Sequence, residues 1–341
     1  MTLPLSFLDL VQIEAGSTSA GALKNAVELA QLAERLGYTR VWYAEHHNST
    51  SLASGSPEIM VAHVANQTST IRVGTGGVML PNHAPLRIAE AFRLLEALHP
   101  DRVDLGLGRA PGTDTLTAYA LRRSEEAIRT DQYSPLLAEL LALDNNGFPP
   151  GHLFGSINVT PADVRLPPIW LLGSSDFSAR AAAEAGLGFS FAAHINSAAA
   201  VPVMRLYRET FQPSEYRQEP HSILAVGIVV GDTEEHAQEL LKIVQIGMAA
   251  LAAGRPYQMP TLAEAKKVEL SPLDLERAQS MLRNIIIGDA ATVAARVQEF
   301  AAQTQADEVM LTTFLPNQTD RIRAVTNMAS TWELTVPEAA G

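Results

Sequence analysis

The chain has 341 residues, 47% of them apolar, no cysteine and a formal net charge of −12. That length suits two ordinary domains or one large α/β barrel, while the missing thiols exclude disulfides, thiolate metal sites and a cysteine nucleophile. The acidic balance, unrelieved by any Lys/Arg block, argues against nucleic acid and anionic membranes as partners.

No run reaches the ~18 apolar residues of a membrane span. Met1-Thr2-Leu3-Pro4-Leu5 lacks the basic and apolar regions of a signal peptide, so the cytoplasm is the expected location. Short apolar runs then alternate with helical periodicity. LSFLDL (5–10) predicts a first strand. Residues 20–38 predict a helix, with Leu23, Val27, Ala30, Leu32 and Leu36 at helical spacing and Gly37 as its stop. TRVWYAE is a second strand, followed by a helix over 56–69 with Ser56 as N-cap and Pro57 in its first turn. IRVGTGGVML is a third, followed by a helix from Pro85 to Leu98. RVDLGLGRA (102–110) is a fourth, with a helix expected around 124–143. The remaining strands are PPIWLLGSS (167–175), GFSFAAHI (188–195), HSILAVGIVVG (221–231) and DEVMLTTFL (307–315). Their helices run through Ala185, near 197–211, over 233–254 and from Thr319 to Leu334.

Eight such units predict a (β/α)8 TIM barrel with insertions, one domain over residues 1–341. A doubly wound sheet is the alternative. Two stretches break the period. Residues 144–166 read as loops with room for a small hairpin. Residues 255–288 read as an excursion before the last strand, either a lid or a plain connector.

In a barrel of this kind the active site lies at the C-terminal strand ends, and the unusual residues collect there. The second strand ends in Glu45-His46-His47, where neighbours on a strand point to opposite sides and cannot readily share one metal. No H-x-H or H-E-x-x-H spacing occurs, so no metal site is predicted. A histidine at a strand end is either structural or catalytic, and the pair beside an acid leaves both readings open. Gly76-Gly77 weaken the third strand, which fits a flat ligand approaching bare backbone, a bulge or unusual peptide geometry, or the need for small residues in a crowded barrel. GLGRAPG lacks the spacing of a nicotinamide fingerprint. Gly108-Arg109 end the fourth strand and Gly173-Ser174-Ser175 the fifth. A helix starting near Asp176 carries Ser178 in its first turn. One Arg, hydroxyls and the N–H groups of a helix N-terminus make a phosphate cradle; the plainer reading is a capped helix beside a salt-bridged Arg109. A phosphate on one side, a flat group over glycines and a histidine opposite describe a mononucleotide such as a flavin.

At these residues the sequence resembles the bacterial luciferase-like flavin monooxygenases, over about residues 3–335 and most closely over 38–112. GYTRVWYAEHHN, the run IRVGTGGVMLPNHAPLRIAEAFRLLEALHPDRVDLGLGRAPGTD and WLLGSSDFSARAAAEAGLGFSFAAHI carry the likeness, which is strongest to a subgroup built from a single type of chain. The resemblance implies the barrel, reduced FMN and dioxygen as co-substrate. It implies His46 as the catalytic histidine, with Glu45 or His47 setting its protonation, and a non-prolyl cis peptide at Gly76-Gly77. Gly108, Gly173, Arg109, Ser174, Ser175 and Ser178 would hold the cofactor, and Arg122, Arg123 and Arg129 are candidates for a second phosphate-side arginine. The light-producing relatives carry cysteine where this chain has Gly108, which argues against bioluminescence.

The implied reaction passes through a C4a-hydroperoxyflavin that gives one oxygen atom to a hydrophobic organic substrate, by hydroxylation, epoxidation or Baeyer–Villiger insertion, with secondary metabolism as one expected setting. Reduced flavin would come from a separate reductase, and a homodimer is expected. Phe7, His83, Phe191 and His194 are the expected pocket residues. The alternatives are a deazaflavin (F420)-dependent hydride-transfer enzyme and a non-catalytic flavin-binding protein.

Overall fold

A computed structural model describes residues 3–335 apart from position 256; the ends of the expected 1–341 unit lie outside the described residues. Ten strands form one sheet: β1 (Leu5–Asp9), β2 (Arg40–Tyr43), β3 (Arg72–Thr75), β4 (Val78–Met79), β5 (Val103–Gly108), β6 (Ile169–Gly173), β7 (Gly188–Ala192), β8 (Ser222–Gly231), β9 (Ile285–Asp289) and β10 (Glu308–Thr313). Every strand pairing is parallel, and β10 pairs with both β1 and β8, which closes the eight-stranded barrel. The predicted (β/α)8 barrel is what the chain adopts, and the doubly wound sheet is not.

Alternation along each strand sorts the side chains into two layers. Phe7, Val41, Val73, Leu105, Leu171 and Phe191 belong to the large core between strands and helices. Leu8, Trp42, Trp170, Ala225 and Met310 form a smaller cluster inside the barrel. Near the N-terminal ends of the strands, buried Arg40 bridges two acids, 2.8 Å from Asp104 and 2.8 Å from Glu308. Each charge there has an opposite partner, as a dry interior requires.

The insertions depart from expectation in instructive ways. The helix expected over 124–143 is three: Thr115–Arg122, Glu125–Arg129 and Tyr133–Asn145. Arg123 enters the left-handed region (φ +58) and ends the first. Among the described residues no strand lies between β5 and β6, so the 144–166 hairpin is absent. A stacked Phe148–His152 pair, with ring centroids 4.4 Å apart, shapes that loop instead.

The excursion over 255–288, which includes undescribed position 256, holds two helices, Leu262–Ala265 and Pro272–Leu282, and most of β9. That strand was not foreseen. It exists because β8 runs ten residues, beyond the length of the others: its first part closes the barrel, and Gly227–Gly231 present an edge that β9 covers. The start of the excursion lies on the loops at the barrel mouth. Thr50 Oγ1 donates to the Tyr257 carbonyl (3.0 Å), and Ala15 N–H donates to that of Met259 (2.8 Å). Among the described residues no helix is long and apolar enough to cross a membrane.

Candidate active site at the barrel mouth

β2 ends at Tyr43, and the chain leaves the sheet through Ala44 into the Glu45-His46-His47 run. Glu45 is fully buried. Its carboxylate accepts from His47 Nε2 (2.8 Å), His83 Nε2 (3.0 Å), Asn82 Nδ2 (3.2 Å) and the Met79 N–H (2.8 Å). Burial alone would raise its pKa, but the hydrogen bond and charge of His83, with the bonds from His47 and Met79, hold it below the ordinary carboxylate value. Burial likewise works against a charged His83, and the Glu45 hydrogen bond and charge more than offset it, so that pKa stands above normal.

His46 is set apart. Its N–H donates to the Ser54 carbonyl (3.1 Å), and its Nδ1 is buried with no partner among the described residues. Burial lowers its pKa, Glu45 opposes that shift and His47 adds to it. Neither Glu45 nor His47 hydrogen-bonds the His46 ring.

The expected third strand is split into β3 and β4 by Gly76-Gly77, whose peptide bond is cis. A Cβ on Gly76 would lie 2.6 Å from Leu8 Cδ1, and one on Gly77 would lie 2.8 Å from the Gly106 carbonyl oxygen. Gly108 is buried, and a Cβ there would meet Met79 Sδ at 2.7 Å. At these glycines the neighbouring strands and side chains approach too closely for a Cβ.

Arg109 follows β5 and is half exposed, its guanidinium 4.1 Å from the ring centroid of Phe177 and 3.7 Å from Asp131. Phe177 lies in the first turn of the helix Asp176–Ala185, so Arg109 stands beside that N-terminus. The N-cap Ser175 makes no capping hydrogen bond. Of the plain reading, the salt bridge of Arg109 is present, to Asp131, but Ser175 does not cap the helix with its side chain. Ser174 precedes it, and Ser178 is buried in the same first turn, where a Cβ on Gly173 would lie 2.5 Å from its Oγ. Of the candidate second arginines, Arg122 is committed to Asn82 (3.0 Å) and the Ala127 carbonyl, and Arg129 to Glu125 (3.1 Å). Arg123 is exposed with no ion pair among the described residues.

Two expected pocket residues are misplaced by one step. Phe7 and Phe191 are fully buried against the helices, because they have the outward parity of their strands. His194 is at the mouth, its Nδ1 3.3 Å from the Ala225 carbonyl and its ring centroid 6.4 Å from that of Phe314. Burial pushes its pKa down to about 4. Sequence reasoning missed Gln12, Asn82, Tyr133 and Phe177. Gln12 carried a detectable signal only as a polar residue within the apolar run that follows β1. The buried, unpartnered Tyr133 hydroxyl carried none.

The unpartnered Nδ1 of His46 and an uncapped helix N-terminus beside an arginine are compatible with a phosphorylated cofactor at the mouth. The luciferase-like monooxygenase family profile matches residues 3–308. The chain belongs to that family and is an enzyme of the flavin monooxygenase class. It is 38% identical to a luciferase-like monooxygenase of Escherichia coli (strain K12), over 91% of each chain. It is 36% identical to the N-acetyl-S-alkylcysteine monooxygenase of Bacillus subtilis (strain 168), over 77% of this chain and 78% of that one. The crystal structure of apo-MsnO8 superposes with a TM-score of 0.88 at 34% identity, covering 98% of each chain. Two distant structures share the fold alone. One is the FMN complex of the oxygenating constituent of 3,6-diketocamphane monooxygenase from Pseudomonas putida, at 17% identity, 96% of this chain, 97% of that one and a TM-score of 0.69. The other is an F420-dependent secondary alcohol dehydrogenase, at 14% identity, 98% of each chain and a TM-score of 0.69.

Proposed function

We propose that this enzyme binds reduced FMN at the barrel mouth and transfers one atom of dioxygen to a hydrophobic organic substrate, the other atom leaving as water. The observation that carries the choice of FMN is the uncapped N-terminus of Asp176–Ala185 with Arg109 stacked on Phe177. It is a compact cradle suited to a terminal phosphate, with Ser174, Ser175, Ser178 and Gly173 around it. Gly76 and Gly77, joined by the cis peptide, and Gly108 let the strand ends pack closely beneath the proposed ring site, and reduced flavin supplies the electrons that activate dioxygen. His46, kept neutral by burial, holds and moves the proton at its ring nitrogen; Glu45 fixes His47 and His83 around it. The excursion over 255–288, docked on the mouth loops through Tyr257 and Met259, acts as a lid that excludes water. No nicotinamide fingerprint is present, so a separate flavin reductase is the proposed electron source, and a homodimer in the cytoplasm is the proposed working form.

The test is a set of flavin affinities. FMN should bind more tightly than riboflavin or F420, and Arg109→Ala should weaken FMN by ~10–100-fold, the worth of a charge-assisted hydrogen bond, while leaving riboflavin unchanged. Preferential binding of F420 would move the assignment to hydride transfer. Anaerobic reduction of the FMN complex followed by dioxygen, with peroxide yield measured, then separates an oxygenase from a passive flavin binder.

A further inference from the structure

The polar groups of the mouth divide by position around the barrel. The phosphate cradle stands on β5 and β6. The barrel order is β1, β2, β3, β5, β6, β7, β8, β10, so β1 and β10 lie diametrically opposite it. On that far side sits Gln12, 5% exposed, with its Oε1 buried and unpartnered among the described residues. Its Nε2 donates to the Thr313 carbonyl (3.2 Å). A carbonyl only accepts, so the amide must present its NH2 there, and the atom left over is an acceptor. Val11, the residue before it, has φ +53, a left-handed conformation rare for a β-branched side chain. Its N–H is held by Asp9 Oδ1 at 2.7 Å. The chain thus adopts an unfavourable backbone at the step that turns Gln12 into place.

His194, in the short helix Ala193–Asn196 that follows β7, presents the same chemistry. The carbonyl of Ala225 fixes the proton on Nδ1, and Nε2 has no partner among the described residues, so the neutral ring offers a lone pair. Burial keeps it neutral through the physiological range. Hydrogen bonds and ring contacts link the two residues into one wall. Gln12 holds Thr313, the next residue Phe314 packs beside His194, and Gly227 leaves the room both need, since a Cβ there would come within 3.1 Å of each. Leu10, partly buried against the interior cluster that includes Ala225, adds apolar surface in the barrel lumen.

We infer that Gln12 and His194 form an acceptor pair that selects a substrate carrying a hydroxyl or N–H donor on an apolar, aromatic-sized body. The inference rests on the flavin monooxygenase reading for the reaction, but the recognition itself requires no turnover. A buried acceptor left unpaired against a ligand without the donor is costly, so sites of this kind reject the donor-less analogue strongly.

The test uses the whole chain saturated with oxidised FMN and matched probes differing only in the donor: 2-naphthol against 2-methoxynaphthalene, and indole against 1-methylindole. Affinities come from equilibrium dialysis. The donor member of a pair should bind at least ~10-fold more tightly, one hydrogen bond's worth. Gln12→Leu and His194→Phe should each reduce that ratio towards one. The parent's ratio is independent of any variant's folding, and circular dichroism checks the variants. A panel in which no donor compound is preferred, including one in which nothing binds, overturns the inference. So does a Gln12→Leu protein that keeps the discrimination and loses FMN affinity, since Oε1 would then serve the flavin. Donor selectivity without peroxide-coupled oxygenation would leave the pair standing and remove the oxygenase reading.

Discussion

The carboxylate of Glu45 meets the imidazole of His83 at 3.0 Å, and that contact makes the acid of the Glu45-His46-His47 run an anchor. With His47, Asn82 and the Met79 N–H also donating to it, one buried carboxylate ties the end of β2 to β4 and the turn after it. Glu45→Gln keeps the shape, but its amide NH2 would face groups that donate. The expected cost is about 3 kcal/mol, the scale of removing one partner from a buried charged network. Urea denaturation of parent and variant measures it; a midpoint unchanged by the substitution would sink the anchor role.

The same pair sets a pH window. Glu45 is held below its ordinary 4.5, so its contribution is present above that value and is lost as pH falls through the folded pKa. His83 is held above its ordinary 6.5, so its contribution is full below 6.5 and is lost as pH rises through the folded pKa. The stability difference between parent and Glu45→Gln should therefore be greatest between 4.5 and 6.5 and shrink on both sides. Denaturation at pH values inside and on either side of that interval checks it.

Period and position made much of this legible from the sequence. Eight apolar runs separated by helical stretches fixed the barrel, and the crowding of His46, Gly76, Gly77, Arg109 and Ser175 at strand ends located the mouth. Parity was the weak point. Phe7 and Phe191 are aromatic and near strand ends, but a one-residue step turns a side chain from lumen to helix layer, and composition does not reveal the phase. Nor does it show which donors a buried acid will gather: the hydrogen bonds of His47 and His83 to Glu45 depend on three-dimensional convergence. Ile285-Ile286-Ile287 had a strand's composition, but its partner edge exists only because β8 overruns the barrel.

Gly106 tests how tightly the strands beside the cis peptide are packed. A Cβ on it would lie 1.9 Å from the Thr75 carbonyl oxygen. Thr75 Oγ1 also accepts from the Gly106 N–H at 3.0 Å and donates to its carbonyl at 2.9 Å, so neither residue can withdraw without losing these bonds. Gly106→Ala should destabilise the chain by about 3 kcal/mol or prevent folding, as expected when overpacking falls on backbone. Gly254→Ala is the control for glycine replacement at an open position: nothing lies within 4 Å there, although its φ of +63 carries a conformational cost of its own. Thermal melts of the two variants should rank Gly106→Ala far below Gly254→Ala.

His46 gives the sharpest prediction about chemistry, because its surroundings ask so little of it structurally. Its Nδ1 hydrogen-bonds no described residue, and the contact that holds its backbone, to the Ser54 carbonyl, survives any side-chain change. A residue of that kind should matter to proton handling far more than to assembly. His46→Ala should retain FMN affinity within about twofold, because no cradle residue is touched, while substrate oxygenation falls by ~10²–10⁴-fold, the usual worth of a positioned acid–base group. Electrons from the reduced flavin would then appear as hydrogen peroxide. Measuring product and peroxide in one reaction distinguishes this from a structural role, in which FMN affinity and stability would fall together with rate and the share of peroxide would stay constant.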